Sequence, residues 1–284
     1  MNNCRIIARL DIKGPNLVKG IHLEGLRVLG KPWKFAKYYY DNGADELIYQ
    51  DVVASLYGRN CLDEIINKTA REIFIPLTVG GGLRTIDDIN RVLRAGADKV
   101  SLNTAAIKNP GLIKEAVNIF GSSTIVVAIE AIKQESGEYI AYVDNGREFT
   151  GVEVLKWAKR VEEFGAGEII ITSVDRDGTG SGFDIELIKL VSDEVSIPIV
   201  AHGGASTPDH IVDAMKQGGA DAVAIASIIH YGVINNSTGV EHQEFAEEGN
   251  IEFLKKGKNF KNFGSENIQS IKDYLCNKEI KCRL

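Results

Sequence analysis

Residues 75–107, IPLTVGGGLRTIDDINRVLRAGADKVSLNTAAI, return as residues 197–229, IPIVAHGGASTPDHIVDAMKQGGADAVAIASII. In each copy a short β-branched run ends in glycines, an amphipathic stretch follows, and a Gly-Ala-Asp turn leads into a second apolar run. That is a strand–helix–strand unit. The repeat extends upstream, where GADELIYQD (43–51) matches GAGEIIITS (165–173) and RIIARLD (5–11) matches TIVVAIE (124–130). A four-strand unit used twice closes most naturally into a (βα)8 TIM barrel, an α/β fold built from two half-barrel repeats. A doubly wound open sheet is the alternative. The eight candidate strands are 4–11, 46–51, 75–80, 99–103, 124–130, 168–173, 197–202 and 222–227, with helical stretches such as 85–95, 152–164 and 207–217 between them. No linker or low-complexity segment divides the chain, so residues 1–284 are expected to form one barrel.

Composition narrows the function. A net charge of -6 argues against a general nucleic-acid or anionic-membrane binder, while leaving room for a local cationic pocket. The four cysteines (Cys4, Cys61, Cys276 and Cys282) form no CxxC pair, which reads as reduced thiols without a disulfide frame or a zinc site. No apolar run approaches a membrane span, so a soluble, cytoplasmic protein is expected.

Strand alternation places the chemistry. If Ile6, Ala8 and Leu10 face the helices, then Arg5, Ile7, Arg9 and Asp11 point into the barrel, and the same phase sends Val126, Ala128 and Glu130 inward. Asp11 and Glu130 then stand at the carboxyl rim as pseudo-twofold partners, able to divide acid and base work; solvated rim carboxylates are the plain alternative. Gly81 and Gly82 follow the third strand and Gly203 and Gly204 the seventh, each beside the next strand end, at Asn103–Thr104 and at Ala226–Ser227. Glycine lets backbone N–H groups approach an anion, so two symmetric turns point to a ligand with a phosphate at each end; simple turns at the strand ends are the alternative. Lys19, in the first loop, could close over such an anion. At the amino mouth Arg5, Glu46, Lys99 and Glu168 would form a ring of inward charges, either an ion-pair plug or a gate.

The motifs RLDIK, LVKG, GADELI, IPLTVGGGLRT, RAGADKVSLNTAAI, TSVDRDGT and HGGAS together resemble the cyclase subunit of imidazole glycerol phosphate synthase. The resemblance runs over nearly the whole chain. It implies a lyase of histidine biosynthesis that uses ammonia released by a partner glutaminase and needs no metal or organic cofactor. The ammonia would pass the Arg5, Glu46, Lys99 and Glu168 gate and travel through the barrel to a bisphosphorylated substrate. Asp11 matches the catalytic aspartate and Lys19 the loop lysine. Asp51, Asn103, Thr104, Thr172, Asp177 and Gly178 match positions lining the site. Resembling proteins also deliver ammonia to acetamidino-sugar formation for surface glycans, and a glutaminase-activating scaffold without chemistry is a further alternative.

The chain departs from the resemblance in places. Glu130 stands for the second catalytic aspartate, Arg9 for a small interior residue, Gln50 for an aliphatic one, and His202 for a small serine. His202 reads equally as a base, a phosphate donor or a structural rim histidine. A buried guanidinium needs a partner, so Arg9 is expected to pair either with Glu130 or, pointing down, with Glu46 or Glu168. Residues 232–264 form an extra polar stretch before a final helix at 268–275, expected as a lid or partner-contact loop on the catalytic face.

Overall fold

In the computed structural model, residues 3–54, 62–236 and 266–283 are described. Eight parallel strands close on themselves: β1 (Arg5–Lys13), β4 (Glu46–Asp51), β5 (Leu77–Gly80), β6 (Lys99–Leu102), β7 (Ile125–Lys133), β10 (Glu168–Ser173), β11 (Ile199–His202) and β12 (Ala222–Ile225). β12 pairs with β1, and β7 pairs with β10, so the barrel has no free edge. The (βα)8 architecture read from the repeat is the one observed.

Alternation along the strands separates two cores. Ile6, Ala8 and Leu10 join the large cluster between strands and helices, whereas Ile7, Ile48, Val126, Ala128, Ile170, Val200, Ala222 and Ala224 fill the barrel itself. The strands expected at 75–80 and 197–202 begin two residues later than read, at Leu77 and Ile199. Pro76 and Pro198 stand just ahead of them and have no N–H to give to a ladder. The helices read at 85–95, 152–164 and 207–217 run Ile86–Ala95, Val154–Glu163 and Pro208–Lys216. Thr85 caps the first of these, accepting from Asp88 N while the Asp88 carboxylate accepts from Thr85 N.

The recurrent Gly-Ala-Asp turn has a physical purpose at the amino mouth. Asp45 accepts from Ile6 N (2.7 Å), Asp98 from Leu77 N (2.9 Å) and Asp221 from Ile199 N (2.9 Å). Each carboxylate thus satisfies a backbone donor at the start of the neighbouring strand. The fourth copy reads Gly-Ala-Gly, and a Cβ on Gly167 would come within 2.3 Å of the Ser122 carbonyl oxygen. Asp45 carries a second load, a 2.8 Å ion pair with the buried Lys272 of the last helix, Ile268–Asn277. Asp98→Ala, which leaves the Leu77 N–H without its charged acceptor, should cost about 1.5–3 kcal/mol in urea denaturation. An unchanged midpoint would mean that the motif acts only as a turn.

Two features were not read from the sequence. Each half carries an antiparallel extension of its first strand: β2 (Asn16–Ile21) and β3 (Glu24–Gly30) on β1, and β8 (Tyr139–Val143) and β9 (Glu148–Glu153) on β7. The pseudo-twofold symmetry therefore includes these hairpins. The helix after β12 runs Ser227–Asn236, so residues 232–236 belong to it rather than to an inserted loop, and the rest of the expected lid, 237–264, lies outside the described residues. No described helix is long and apolar enough to cross a membrane.

Candidate active site

The two glycine turns are built alike. Gly81 and Gly203 have φ of 102° and 100°, and a Cβ on either would strike the carbonyl oxygen ending the preceding strand, Asp51 O at 2.3 Å or Ser173 O at 2.7 Å. Only glycine fits that approach. In the first half the turn opens on a cavity of about 310 Å³ lined by Gln50, Asp51, Gly81, Gly82, Asn103, Thr104 and Glu130. Asp51 is fixed there by accepting from Val53 N (3.0 Å) and Ala54 N (2.9 Å). Thr104 accepts from Asp144 N (3.2 Å), which joins the cavity wall to the β8–β9 hairpin. Arg84, Lys108, Asp144 and Asn145 also line this cavity and were not read from the sequence.

The second-half turn is covered. Gly204 O accepts from Gly182 N (2.8 Å), and Gly178 packs so closely on Gly20 O that a Cβ would come within 2.5 Å. Ala226 and Ser227 are buried at the start of the helix Ser227–Asn236. The two turns thus keep the predicted symmetry, but only the first opens on the cavity.

Between them lies a buried polar cluster. Lys19, on β2, points inward and donates to both carboxylate oxygens of Asp177 at 2.9 Å, with Asp11 Oδ2 at 3.6 Å. The hairpin is tied down further by His22 N donating to Asp177 O (2.8 Å). Lys19 is therefore engaged with carboxylates at the place where an anion was expected. Arg9 bends along its own strand, donating from Nε to Asp11 Oδ1 (2.9 Å) and from Nη1 to His202 Nδ1 (3.2 Å). Neither expected Arg9 pairing forms. Glu130 lies beyond ion-pair distance, and Glu46 and Glu168 are engaged by other cations. Residues two apart on a strand share a face, so Asp11 reaches the guanidinium first.

Electrostatics then divide the two rim carboxyls. Burial opposes charge on Asp11, but Arg9 and Lys19 outweigh it and hold the carboxyl well below the usual range. Burial pushes Glu130 up to about 7, only partly opposed by Arg9 and by the Gly146 N–H at 2.8 Å. Burial, then Arg9 and Lys19, push His202 far down, so it is neutral. Its Nδ1 accepts from Arg9 and also lies 3.2 Å from Thr172 Oγ1, which leaves the Nε2 hydrogen directed toward Asp177 Oδ1 at 3.9 Å. His202 is thus buried and held between Arg9 and Thr172.

At the other mouth the charged ring is complete. Arg5 donates to Glu46 (2.7 Å) and Glu168 (2.5 Å), and Lys99 donates to Glu46 (2.9 Å) and Glu168 (3.5 Å). Cations and anions alternate around the opening. The apolar barrel core separates this ring from the rim cluster.

A family profile described as "Histidine biosynthesis protein" matches residues 5–235. The chain belongs to that family. Among curated members, the "Imidazole glycerol phosphate synthase subunit HisF" of Legionella pneumophila is 59% identical over 204 residues, covering 72% of this chain and 96% of that protein. The subunits of the same name from Methanocaldococcus jannaschii and Methanopyrus kandleri are 48% and 46% identical, covering 80% and 86% of this chain and 90% and 96% of theirs. The family resemblance carried by the sequence motifs is therefore upheld.

Proposed function

We propose that this barrel is the cyclase subunit of imidazole glycerol phosphate synthase. It acts as a lyase that uses ammonia to convert the phosphoribulosyl-formimino aminoimidazole carboxamide ribonucleotide into imidazole glycerol phosphate and aminoimidazole carboxamide ribonucleotide. One observation carries the reading. A closed ring of four charges, an apolar layer and a buried pair of rim carboxyls are stacked along a single barrel axis. Such a stack can admit a small neutral molecule from one mouth to a proton-transfer site at the other.

Ammonia adding to a carbonyl carbon must lose two protons from nitrogen, and the oxygen must gain two before it leaves as water. Asp11 and Glu130 stand at the rim where this exchange takes place, and a carboxyl there can carry the protons while a fixed anion beside it steadies the charge. Gly81, Gly82, Asn103 and Thr104 hold one phosphate of the substrate. Gly178, Gly203, Gly204, Ala226 and Ser227 hold the other once the 178–182 segment yields. Lys19, Asp51, Thr172, Asp177 and His202 line or support the site between them. The relatives' designation as subunits implies a partner subunit, and here the partner is a glutaminase docked at the amino mouth. The names of the relatives favour this reading over ammonia delivery to a sugar.

The deciding assay supplies the ribonucleotide with excess ammonium at high pH. Release of both products supports the reading, and their absence from a folded protein overturns it. In the glutaminase-coupled assay, Lys99→Glu should reduce glutamine-driven turnover about tenfold more than ammonium-driven turnover, because a reversed charge disrupts the ring and the contact above it. Equal losses would assign Lys99 to stability.

A further inference from the structure

The buried cluster at the rim contains two cations, Arg9 and Lys19, and each is committed to a different carboxylate. Lys19 grips Asp177 with its ammonium and only approaches Asp11. Arg9 grips Asp11 and uses its second donor on His202, a neutral ring presenting an acceptor nitrogen. Asp11 does not line the 310 Å³ cavity, but Glu130 does. Glu130 accepts one backbone hydrogen bond, from Gly146, and among the described residues no cation stands within ion-pair distance of it. The two rim carboxyls, symmetric in sequence, are therefore unequal in access and in company.

We propose that Arg9 is a positioning residue: clamped between Asp11 and His202, it dedicates Asp11 to the anionic state and leaves proton exchange with the bound substrate to Glu130. The inference rests on the cyclase reading and adds a division of labour to it. The proton path is short and closed. After the ammonia nitrogen bonds to the carbonyl carbon, the Glu130 carboxylate takes a proton from nitrogen. It gives that proton to the alkoxide oxygen to form a hydroxyl. It then carries a second proton from nitrogen to that hydroxyl as the C–O bond breaks and water leaves. Two protons thus pass from nitrogen to oxygen, and Glu130 ends as it began. Asp11, fixed beneath, stabilises positive charge on the nitrogen without titrating. The shifts agree, since Glu130 is held near neutrality and Asp11 far below it.

The groups facing this system are few. Arg9 sees Asp11 on its own strand, Asp177 on the loop after β10, Glu130 on β7 and His202 on β11. Asp11 sees Arg9, Lys19 and His202. Glu130 sees Arg9 and Asp11 on β1, the Asn103 side chain after β6 and the Gly146 N–H between β8 and β9. His230, on the helix after β12, lies close enough to sense Asp11 and Lys19, and burial keeps it neutral.

The test combines carboxyl 13C NMR titration of the whole protein with pH profiles of ammonium-driven turnover corrected to free ammonia. In the wild type, one carboxyl signal should titrate near pH 7 and disappear in Glu130→Gln, while the signal lost in Asp11→Asn stays ionised down to pH 5. The turnover profile should show a limb near pH 7 that Glu130→Gln removes. Arg9→Met should lower kcat at least about tenfold with KM changed less than about threefold, since Arg9 does not line the cavity, and should move the Asp11 signal upward. Arg9→Lys should restore part of both. An Asp11 signal titrating above pH 5 in the wild type overturns the proposal, as does an Arg9→Met profile identical to wild type. If Arg9→Met fails to fold, the wild-type titration and Arg9→Lys still decide. A wild type that titrates as stated but makes no product counts against the cyclase reading and leaves the role of Arg9 standing.

Discussion

Replacing Asp11 by asparagine should destabilise the barrel by about 3–5 kcal/mol, because it leaves the Arg9 guanidinium buried without its anion. Arg9 cannot discharge the cost by losing its proton, and its other partner, His202, is neutral. Asp177 offers little relief, since both of its carboxylate oxygens already accept from Lys19. Turnover should fall by about 10²–10³-fold in the fraction that folds, because the fixed negative charge beside the reacting nitrogen is lost. The pH dependence follows from the sign of the shift. Asp11 is depressed below its unfolded value of 3.8, so it contributes stability above that pH and loses it only as the pH falls through the lower, folded value. The gap between wild type and Asp11→Asn should therefore be constant from pH 5 to 8 and narrow only under strong acid. The double variant Arg9→Met with Asp11→Asn should recover most of the stability and none of the turnover. A single variant that unfolds at the wild-type urea concentration would mean that Arg9 has found another partner.

The barrel was legible because its repeat is written in residues with a structural duty. The Gly-Ala-Asp turns recur because each aspartate completes a neighbouring strand, and Gly81 and Gly203 recur because a carbonyl oxygen fills the space of a Cβ. Period-two alternation also placed Arg5, Glu46, Lys99 and Glu168 correctly, since inward positions at one level must share a ring. Arg9 shows where that reasoning stops. Alternation gives the face of a side chain but not the turn of its last three bonds, and a carboxylate two residues away on the same strand is closer than one across the barrel. The hairpins were missed for a related reason. IKGPNLVKGIHLEGLRVLG and EAIKQESGEYIAYVDNGREFTGVE look like loops between elements, and their pairing partner is the continuation of a strand already counted. With the second hairpin went Asp144 and Asn145, which reach the cavity only because β8 and β9 fold back over it. Lys108, at the end of the short helix Thr104–Lys108, and Arg84, just ahead of the helix Ile86–Ala95, carried no signal of their own, since a lone cation after a strand is ordinary surface.

Glu130→Gln should produce the opposite stability change from Asp11→Asn while removing a comparable share of the activity. Its carboxyl is buried and raised from 4.5 to about 7. The folded protein therefore holds a proton that the unfolded chain has lost over that interval. Stability contributed by the protonated form is complete below pH 4.5 and declines as the pH rises to about 7, beyond which the ionised carboxylate remains buried at a constant cost. A neutral amide of nearly the same shape escapes that cost. Its carbonyl oxygen still accepts from Gly146 N, and the Asn103 side chain can turn to meet it. The variant should match wild type at pH 4.5 and exceed it by up to about 3 kcal/mol at pH 8, with the difference growing between those limits. Turnover should fall about 10²–10⁴-fold at every pH, because glutamine can neither take a proton from nitrogen nor return one to oxygen. Glu130→Asp keeps the carboxyl but draws it back by one methylene. It should therefore retain a pH-dependent activity below that of wild type, because the carboxyl no longer reaches the same point in the cavity. Urea denaturation at pH 4.5, 6 and 8 checks the first expectation. A gap between Glu130→Gln and wild type that stays flat across the three would mean that Glu130 titrates as an ordinary carboxylate, and the acid–base work at this rim would then have to be sought elsewhere in the cavity.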